Sequence, residues 1–140
     1  MKVYKGRREM PGAEVYVNTG KGPDRQLPLR LELGNHSPTG FEWGYVGSGP
    51  HQLALALLGD VFDRWTAQAL GVDFLHGVTS RLPQGNWKLT EEEIFAWVQE
   101  FLRINPGVQE TIFQQMEGEQ LGLGLLVDWP EEPIRQKLQP

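Results

Sequence analysis

The chain has 140 residues, of which 39% are hydrophobic and 22% charged, a composition that fits one folded domain and excludes an intrinsically disordered chain. A formal net charge of −5 argues against electrostatic binding to duplex DNA, because such binding needs a basic surface that displaces counterions from phosphates. The sequence has no cysteine, which excludes disulfides, thiolate nucleophiles and cysteine-ligated metal or iron–sulfur sites.

Signals for secretion or membrane insertion do not stand out in the sequence. Met1 is followed by charged residues rather than by the apolar segment of a signal peptide. No apolar run reaches the length of about 18 residues that a membrane-spanning helix requires. We therefore expect a cytoplasmic protein without a membrane partner.

Most of the positive charge lies near the start of the sequence. A basic patch there would bind an anionic partner, whereas cations along a solvated strand edge would only prevent edge-to-edge association. The second interpretation is favoured. The candidate patch consists of Lys2, Lys5, Arg7 and Arg8, joined by Lys21, Arg25 and Arg30.

The opening third of the chain has the patterns of β-strands. Residues 2–6 form a short candidate strand, and residues 13–18 place Val15 and Val17 on one face with mainly polar residues on the other. Residues 27–33 alternate leucine with proline or charged residues, which is typical of a half-buried strand that Pro28 confines to an edge. Residues 41–45 are a candidate fourth strand. The sequence therefore predicts an antiparallel N-terminal sheet.

The first predicted helix follows this region. Pro50 suits the first turn of a helix, with Ser48 or Gly49 in the N-cap position. The run HQLALALL consists mostly of strong helix formers with few polar interruptions. We expect a helix that is buried on most sides and ends near Gly59.

A second and a third helical segment are predicted next. Asp60 is the expected N-cap of a helix that runs to Leu70. A further helical segment, which stops before Pro83, is indicated by apolar residues at intervals of four, namely Phe74, Val78 and Leu82.

The clearest helix start is the sequence TEEE at residues 90–93. Thr90 and Glu93 have the spacing of a capping box, and the carboxylates lie in the favourable first turn. This helix is expected to end near Arg103, and a weaker helical pattern begins after residue 107. Residues 121–127 are a candidate strand, and the last ten residues resemble a tail. The apolar stripes are Ile94, Trp97, Val98, Phe101 and Leu102 for the first helix and Val108, Ile112, Phe113 and Met116 for the second.

Together these patterns predict an α+β fold, in which an N-terminal antiparallel sheet of three to four strands packs against three to five helices. Residues 1–103 form the single α+β domain of this prediction. Residues 104–140 form a C-terminal helical or strand extension with a tail. The extension is a candidate surface for a homo-oligomer or for another protein partner.

The sequence VGSGP at residues 46–50 is the strongest candidate for a binding site. The first amides of a helix have no intrahelical partner, and glycines let a phosphate or carboxylate approach the backbone. The sequence matches neither a Walker A motif nor a GxGxxG fingerprint, so a tight turn that only starts the helix is the alternative. A nearby aromatic pair would stack a base, although core packing is also open for Trp43. The candidate ligand-binding residues are Trp43, Tyr45, Gly47, Ser48, Gly49 and His51.

Hydrolytic and metal chemistry have weaker support. A serine nucleophile needs an imidazole base and an orienting carboxylate, but the GxSxG spacing of a nucleophile elbow is missing. The three histidines lie far apart in sequence and form no HxH or HExxH motif, so we expect neither a metal site nor a cofactor. The residues considered for hydrolysis are His36, Ser37, Ser48 and His51, with Asp60 or Glu42 as the carboxylate.

Four ordered blocks carry a resemblance to a known family: YKGR from residue 4, PLR from residue 28, HSPTGFEWGYVGSGPHQLALALL from residue 36 and FLHGVTSRLPQGNWKLT from residue 74. They resemble an uncharacterised family of small bacterial, plasmid and phage proteins, a domain of unknown function with a central HSPxGFxWGYxGSGPxQLALALL block. The resemblance implies a shared fold and no activity, and it does not extend past residue 103. The chain departs from the pattern at Val46, where glycine is expected, and at His51, where a small residue is usual.

Binding without catalysis is the predicted function, with a small anionic ligand or nucleotide at the glycine-rich helix start. The alternative is a protein–protein interaction module or an inhibitor encoded by a mobile element, since an acidic protein suits a basic groove of a partner. Hydrolysis ranks third. The first hypothesis requires a pocket around Ser48, and the second requires an exposed acidic or apolar patch.

Overall fold

The computed structural model describes residues 1–9 and 12–122, and in this part of the chain it has an α+β fold with a four-stranded antiparallel sheet and four α-helices, as predicted. Residues Met1–Glu92 form one compact unit, and a second unit begins at Glu93. None of the described helices combines the length and apolarity needed to cross a membrane. The strands are Val3–Glu9 (β1), Gly12–Asn18 (β2), Arg25–Gln26 (β3) and Trp87–Thr90 (β4), and the helices are Ser48–Val61 (α1), Arg64–Gly77 (α2), Glu91–Ile104 (α3) and Pro106–Gly122 (α4).

The sheet has the strand order β3-β2-β1-β4, so that β1 lies between β2 and β4. Alternation along the strands separates a buried face from an exposed one. Tyr4 pairs with Val17 and Gly6 pairs with Val15, and all four residues are buried. Gly6 also pairs with Trp87 of β4, which adds an indole ring to the buried face.

Two of the predicted strands are wrong. Residues 27–33 continue the pairing of β3 by one hydrogen bond, from the Leu27 amide to the Val15 carbonyl, and then leave the sheet. Arg30 has a φ of 55°, in the left-handed region, and a 3-10 turn follows at Leu31–Leu33. Residues 41–45 are irregular because Gly44 has a φ of 86°. The fourth strand is instead the short segment β4.

Helix α1 is longer than predicted and is buried on nearly all sides, as predicted. It begins at Ser48 and continues past Gly59 to Val61. Asp60 is therefore inside the helix and does not cap the next one. Its carboxylate accepts hydrogen bonds from the Tyr4 hydroxyl at 2.5 Å and from Lys2 Nζ at 3.2 Å, which joins the last turn of α1 to β1.

The N-cap of α2 is Asp63, whose side chain accepts a hydrogen bond from the Thr66 amide at 2.8 Å. This helix runs to Gly77 and includes Phe74. The predicted third helical segment is therefore wrong, because only a 3-10 turn at Thr79–Arg81 follows α2. The hydroxyl of Thr79 donates to the Pro50 carbonyl at 2.8 Å and fixes this turn to the first turn of α1.

The second unit contains most of α3 and all of the described part of α4. Helix α3 starts directly after Thr90, as the TEEE sequence predicts, and ends at Ile104. Helix α4 includes residues 121 and 122, and the rest of the predicted strand at 121–127, like the predicted tail, lies outside the described residues. The division after residue 103 stays a prediction. Buried residues on these helices are Ile94, Val98, Leu102, Ile112, Phe113 and Met116.

Candidate functional site

The loop before α1 is anchored by buried aromatic residues. Trp43 is 0% exposed, and its indole N–H donates to the Gly85 carbonyl at 2.9 Å. The Gly44 amide donates to the Thr79 carbonyl at 3.0 Å, with the positive φ that glycine tolerates. The loop is therefore fixed to residues 79–85, and it presents the next residue, Tyr45, to solvent at 47% exposure.

Arg8 at the end of β1 packs on this loop. Its guanidinium carbon lies 4.6 Å from the centroid of the Trp43 ring. Its Nη2 donates to Glu42 Oε1 at 2.7 Å, its Nη1 donates to Glu42 Oε2 at 3.2 Å, and its Nε donates to the Gln84 carbonyl. The hydrogen bonds to Glu42 raise the pKa of Arg8 above its ordinary value. The guanidinium is thus held by the Trp43 ring, over which its central carbon lies, and by the Glu42 carboxylate.

These contacts surround a solvent-open cleft of about 350 Å³. Core packing is the role of Trp43, because the ring has no exposed surface. The planar surfaces that line the cleft and are accessible to a ligand therefore belong to Arg8 and Tyr45. The lining residues are Arg8, Glu42, Trp43, Tyr45 and Gln84.

The start of α1 adjoins the cleft. A Cβ atom at Gly47 would lie 2.6 Å from Cε2 of the Tyr45 ring, and one at Gly49 would lie 2.5 Å from Cβ of Glu42. No side chain caps the helix, and Ser48 is exposed whereas Gly49 is buried. Because Pro50 has no N–H group, the unpaired donors of the first turn belong to Ser48 and Gly49.

His51, the last of the predicted ligand-binding residues, is not part of the cleft lining. Its ring stacks on His36 with a centroid distance of 3.8 Å and an interplanar angle of 19°. Burial, together with the charges of His36 and His76, lowers the pKa of His51 below its ordinary value. The structure therefore places Trp43, Tyr45 and the Gly47–Gly49 turn together, and it places His51 against His36.

The residues considered for hydrolysis have other partners. The Ser37 hydroxyl donates to the Gly40 carbonyl at 2.6 Å. Glu42 is paired with Arg8, and Asp60 is paired with Tyr4 and Lys2. Within residues 1–9 and 12–122, histidine and carboxylate side chains form no group of three that fits a metal ion.

The basic residues near the start of the sequence are mostly paired with carboxylates. Asp24 accepts hydrogen bonds from Lys5 Nζ at 3.4 Å and from Arg7 Nη2 at 2.9 Å. The hydrogen bond from the side-chain amide of Asn18, together with these cations, holds the pKa of Asp24 below its ordinary value. Such pairing fits cations on a solvated sheet better than a free anion-binding patch.

Three residues that line the cleft are missing from the predicted ligand-binding set, namely Arg8, Glu42 and Gln84. Glu42 entered the sequence analysis only as a carboxylate for hydrolysis. Arg8 belongs to the predicted basic patch, yet it shares the two-residue period of Tyr4 and Gly6, which face the core. A positively charged residue at a position where the strand alternation predicts a buried side chain is the signal that could have identified Arg8. Gln84 lies in a loop and carries no comparable pattern.

The protein is thus a small α+β domain with an open cleft beside the loop that leads into the buried helix α1. A family model described as a family of unknown function (DUF6166) matches residues 4–100, and the chain belongs to this family. The match agrees with the expected resemblance to a domain of unknown function. Comparisons with curated proteins and with solved structures gave no match.

Proposed function

We propose that this protein binds a nucleotide or a similar planar ligand that carries an anionic group, without transforming it. The cleft beside the start of α1 holds the ligand. The planar group stacks on Arg8 and Tyr45, and the anionic group approaches the amides of Ser48 and Gly49. On this proposal the protein acts in the cytoplasm of a bacterium, encoded by the chromosome or by a mobile element.

The observation that carries the proposal is the position of Arg8. Its guanidinium rests on the Trp43 ring, and about two thirds of its side chain is covered, with 35% exposed. A preformed cation with its plane fixed offers stacking for a nucleobase at a low entropic cost. Tyr45 adds an exposed aromatic ring on the same cleft.

Hydrogen-bond donors for an anionic group remain in the cleft. Arg8 uses three of its N–H groups on Glu42 and the Gln84 carbonyl, which leaves two of its five without a partner among the described residues. The Glu42 carboxylate, which would repel an anion, is paired with Arg8. The amides at the start of α1 supply a second set of donors at the partially positive end of the helix.

The test is native mass spectrometry of the protein with a mixture of linear and cyclic nucleotides, followed by calorimetric titration of any nucleotide that forms an adduct. Tyr45→Ala should weaken binding about tenfold, because removing one stacking ring costs about 1–3 kcal/mol. Val46→Ala is the matched control, since Val46 is 61% exposed, adjoins Tyr45 and does not line the cleft. A bulky residue at Gly49 is unsuitable, because it would collide with Glu42.

Two results would contradict the proposal. One is a bare protein mass with every nucleotide. The other is an adduct that survives equally in Tyr45→Ala, in Arg8→Ala and in the control, because such a ligand would be bound elsewhere. Circular dichroism of each variant shows whether the fold is retained.

Protein binding is the second candidate function, and the exposure of Tyr45 and Val46 favours it. These side chains are 47% and 61% exposed and adjacent on a loop that is fixed by backbone hydrogen bonds. Rigid, exposed apolar side chains are typical anchors of protein interfaces. If no nucleotide binds, cross-linking from position 46 in host lysate, compared with cross-linking from exposed Val72 on α2, would test this alternative.

A further inference from the structure

The three histidines of the chain lie on the loop at residues 34–40, on α1 and on α2, and two of them are in direct contact. The rings of His36, from the loop, and His51, from α1, are stacked with centroids 3.8 Å apart. His76, from α2, is close enough to influence the titration of His51. The ring of His51 also lies against Gly71 of α2, where a Cβ atom would be 3.7 Å from its Nε2.

The same loop is tied to α1 by a buried glutamine next to His51. The side-chain oxygen of Gln52 accepts hydrogen bonds from the His36 amide at 2.9 Å and from the Ser37 amide at 3.1 Å. Its side-chain nitrogen donates to the Leu29 carbonyl at 2.7 Å. Two neighbouring residues of α1 therefore hold one loop, one of them by hydrogen bonds and the other by ring stacking.

Only the stacking contact responds to protons near neutral pH. Two neutral imidazoles, or one neutral and one charged, can stack face to face. Two imidazolium cations at this separation repel each other, and the partly buried position of His51 weakens screening by water. Histidine titrates in the physiological range, with an ordinary pKa of about 6.5.

We propose that the His36–His51 stack is a proton-sensitive latch, which holds residues 34–40 on α1 while at least one ring is neutral and releases the loop when both rings are protonated. The titratable groups that face His51 are His36 from the loop and His76 from α2. Both are bases, so every proton that they take up opposes a charge on His51. The residues of α1 within one turn of His51 include no aspartate or glutamate, so α1 supplies no carboxylate beside the latch that would offset this repulsion.

The direction of the pH effect follows from the lowered pKa of His51. Between the lowered pKa of His51 and the ordinary histidine value of about 6.5, the native state binds fewer protons than the unfolded chain, so acidification through this window destabilises the native state. The latch is therefore fully closed above about pH 6.5 and weakens as the pH falls through the lowered pKa of His51. This direction of the pH effect distinguishes the latch from a histidine–carboxylate pair, whose attraction would become stronger when the histidine is protonated.

The experiment is amide hydrogen exchange of the full chain at about pH 7.5 and about pH 5, values that bracket histidine titration, with rates corrected for the intrinsic effect of pH. In the parent protein, the amides of His36 and Ser37 should lose protection at the lower pH, whereas the buried core of α1 at Leu57 and Leu58 keeps it. His51→Gln cannot be protonated, so its loop protection should be equal at both pH values. His76→Gln is the control: it keeps both stacked rings, so it should still lose loop protection at the lower pH. Because it removes one cation that opposes the charge on His51, this loss should set in at a pH no lower than in the parent.

Equal loop protection in the parent at both pH values would overturn the proposal. So would a loss of protection in His51→Gln as large as that in the parent. His36→Gln gives a second test if the His51 variant does not fold, because His36 lies on the exposed side of the stack. Nuclear magnetic resonance titration of the three histidines then identifies which ring accepts the last proton.

Discussion

Gly6 on β1 provides the sharpest test of the described core. The indole of Trp87, on the neighbouring strand, occupies the space where a side chain at position 6 would lie. A Cβ atom at Gly6 would be 2.0 Å from Nε1, 2.3 Å from Cε2 and 2.7 Å from Cδ1 of this ring. Trp87 is 7% exposed and makes an edge contact with Trp43 at a centroid distance of 5.7 Å.

Gly6→Ala should therefore cost about 3 kcal/mol, the upper end of the range of about 1–3 kcal/mol for overpacking a core. The upper end applies because all three close atoms belong to a rigid fused ring and none is the tip of a flexible side chain. The indole cannot swing away without breaking its contact with Trp43. A cost of this size is a large part of the about 5–15 kcal/mol that stabilises a domain.

Urea unfolding followed by tryptophan fluorescence measures this cost. Gly12→Ala is the matched control, because Gly12 is also on a strand and has no atom within 4 Å of its Cβ position, so its stability should change by about 0.5 kcal/mol or less. In a Trp87→Phe background, the cost of Gly6→Ala should fall below about 1 kcal/mol. If Gly6→Ala is as stable as the control, the packing of Trp87 on Gly6 is refuted.

Three further substitutions test individual contacts. Burial and the hydrogen bond to Asp60 raise the pKa of Tyr4, so the native state is fully stable below about pH 10 and loses stability above it, where the unfolded chain loses the tyrosine proton. Tyr4→Phe should therefore lose less stability than the parent above about pH 10. Urea unfolding at alkaline pH measures this loss, and an equal loss in both proteins would contradict the prediction. Gln52→Ala should cost about 3 kcal/mol of stability, since it leaves three backbone groups without a partner. Urea unfolding measures this cost, and a loss of less than about 1 kcal/mol would show that water replaces the three hydrogen bonds. Asp63→Ala should cost about 1 kcal/mol through the lost N-cap of α2, and a thermal midpoint equal to that of the parent would argue against the cap.

Sequence patterns correctly predicted those helices and strands whose conformation is determined by residues close together in sequence. The alternation of Val15 and Val17 located β2 to within one residue, because a two-residue period is enough to define a half-buried strand. The apolar run after Pro50 predicted α1, and the TEEE sequence predicted the start of α3. In each case, propensity and burial favour the same structure.

The leucine alternation at residues 27–33 misled because a partner distant in sequence determines the backbone there. The Leu29 carbonyl accepts a hydrogen bond from Gln52, and Arg30 turns the chain with a positive φ. Leu33 is buried, whereas Leu31 is 36% exposed, so the apolar residues do not share one face. A two-residue period cannot reveal such a tertiary contact.

The candidate site was only partly predictable for a related reason. The glycine-rich turn and Tyr45 are contiguous in sequence, and they mark the region of the cleft. Arg8 and Gln84 come from distant segments that only the sheet and the 3-10 turn bring to it. The stacking of His36 on His51 was not predicted either, because the two residues are distant in sequence and form no recognisable motif.

The central position of β1 also determines the order in which the strands of the sheet can pair while the chain is being synthesised. Strands β1 and β2 are neighbours in sequence and can form a hairpin as soon as both have left the ribosome. The other edge of β1 has to wait for β4, because Val3 pairs with Thr90 and both α1 and α2 lie between them in sequence. Pairings this distant slow folding, and until they form, the edge of β1 is open to pairing with other chains. A nascent chain that stalls before Trp87 therefore exposes an unpaired strand, and we expect this interval to be the one in which the protein most depends on chaperones.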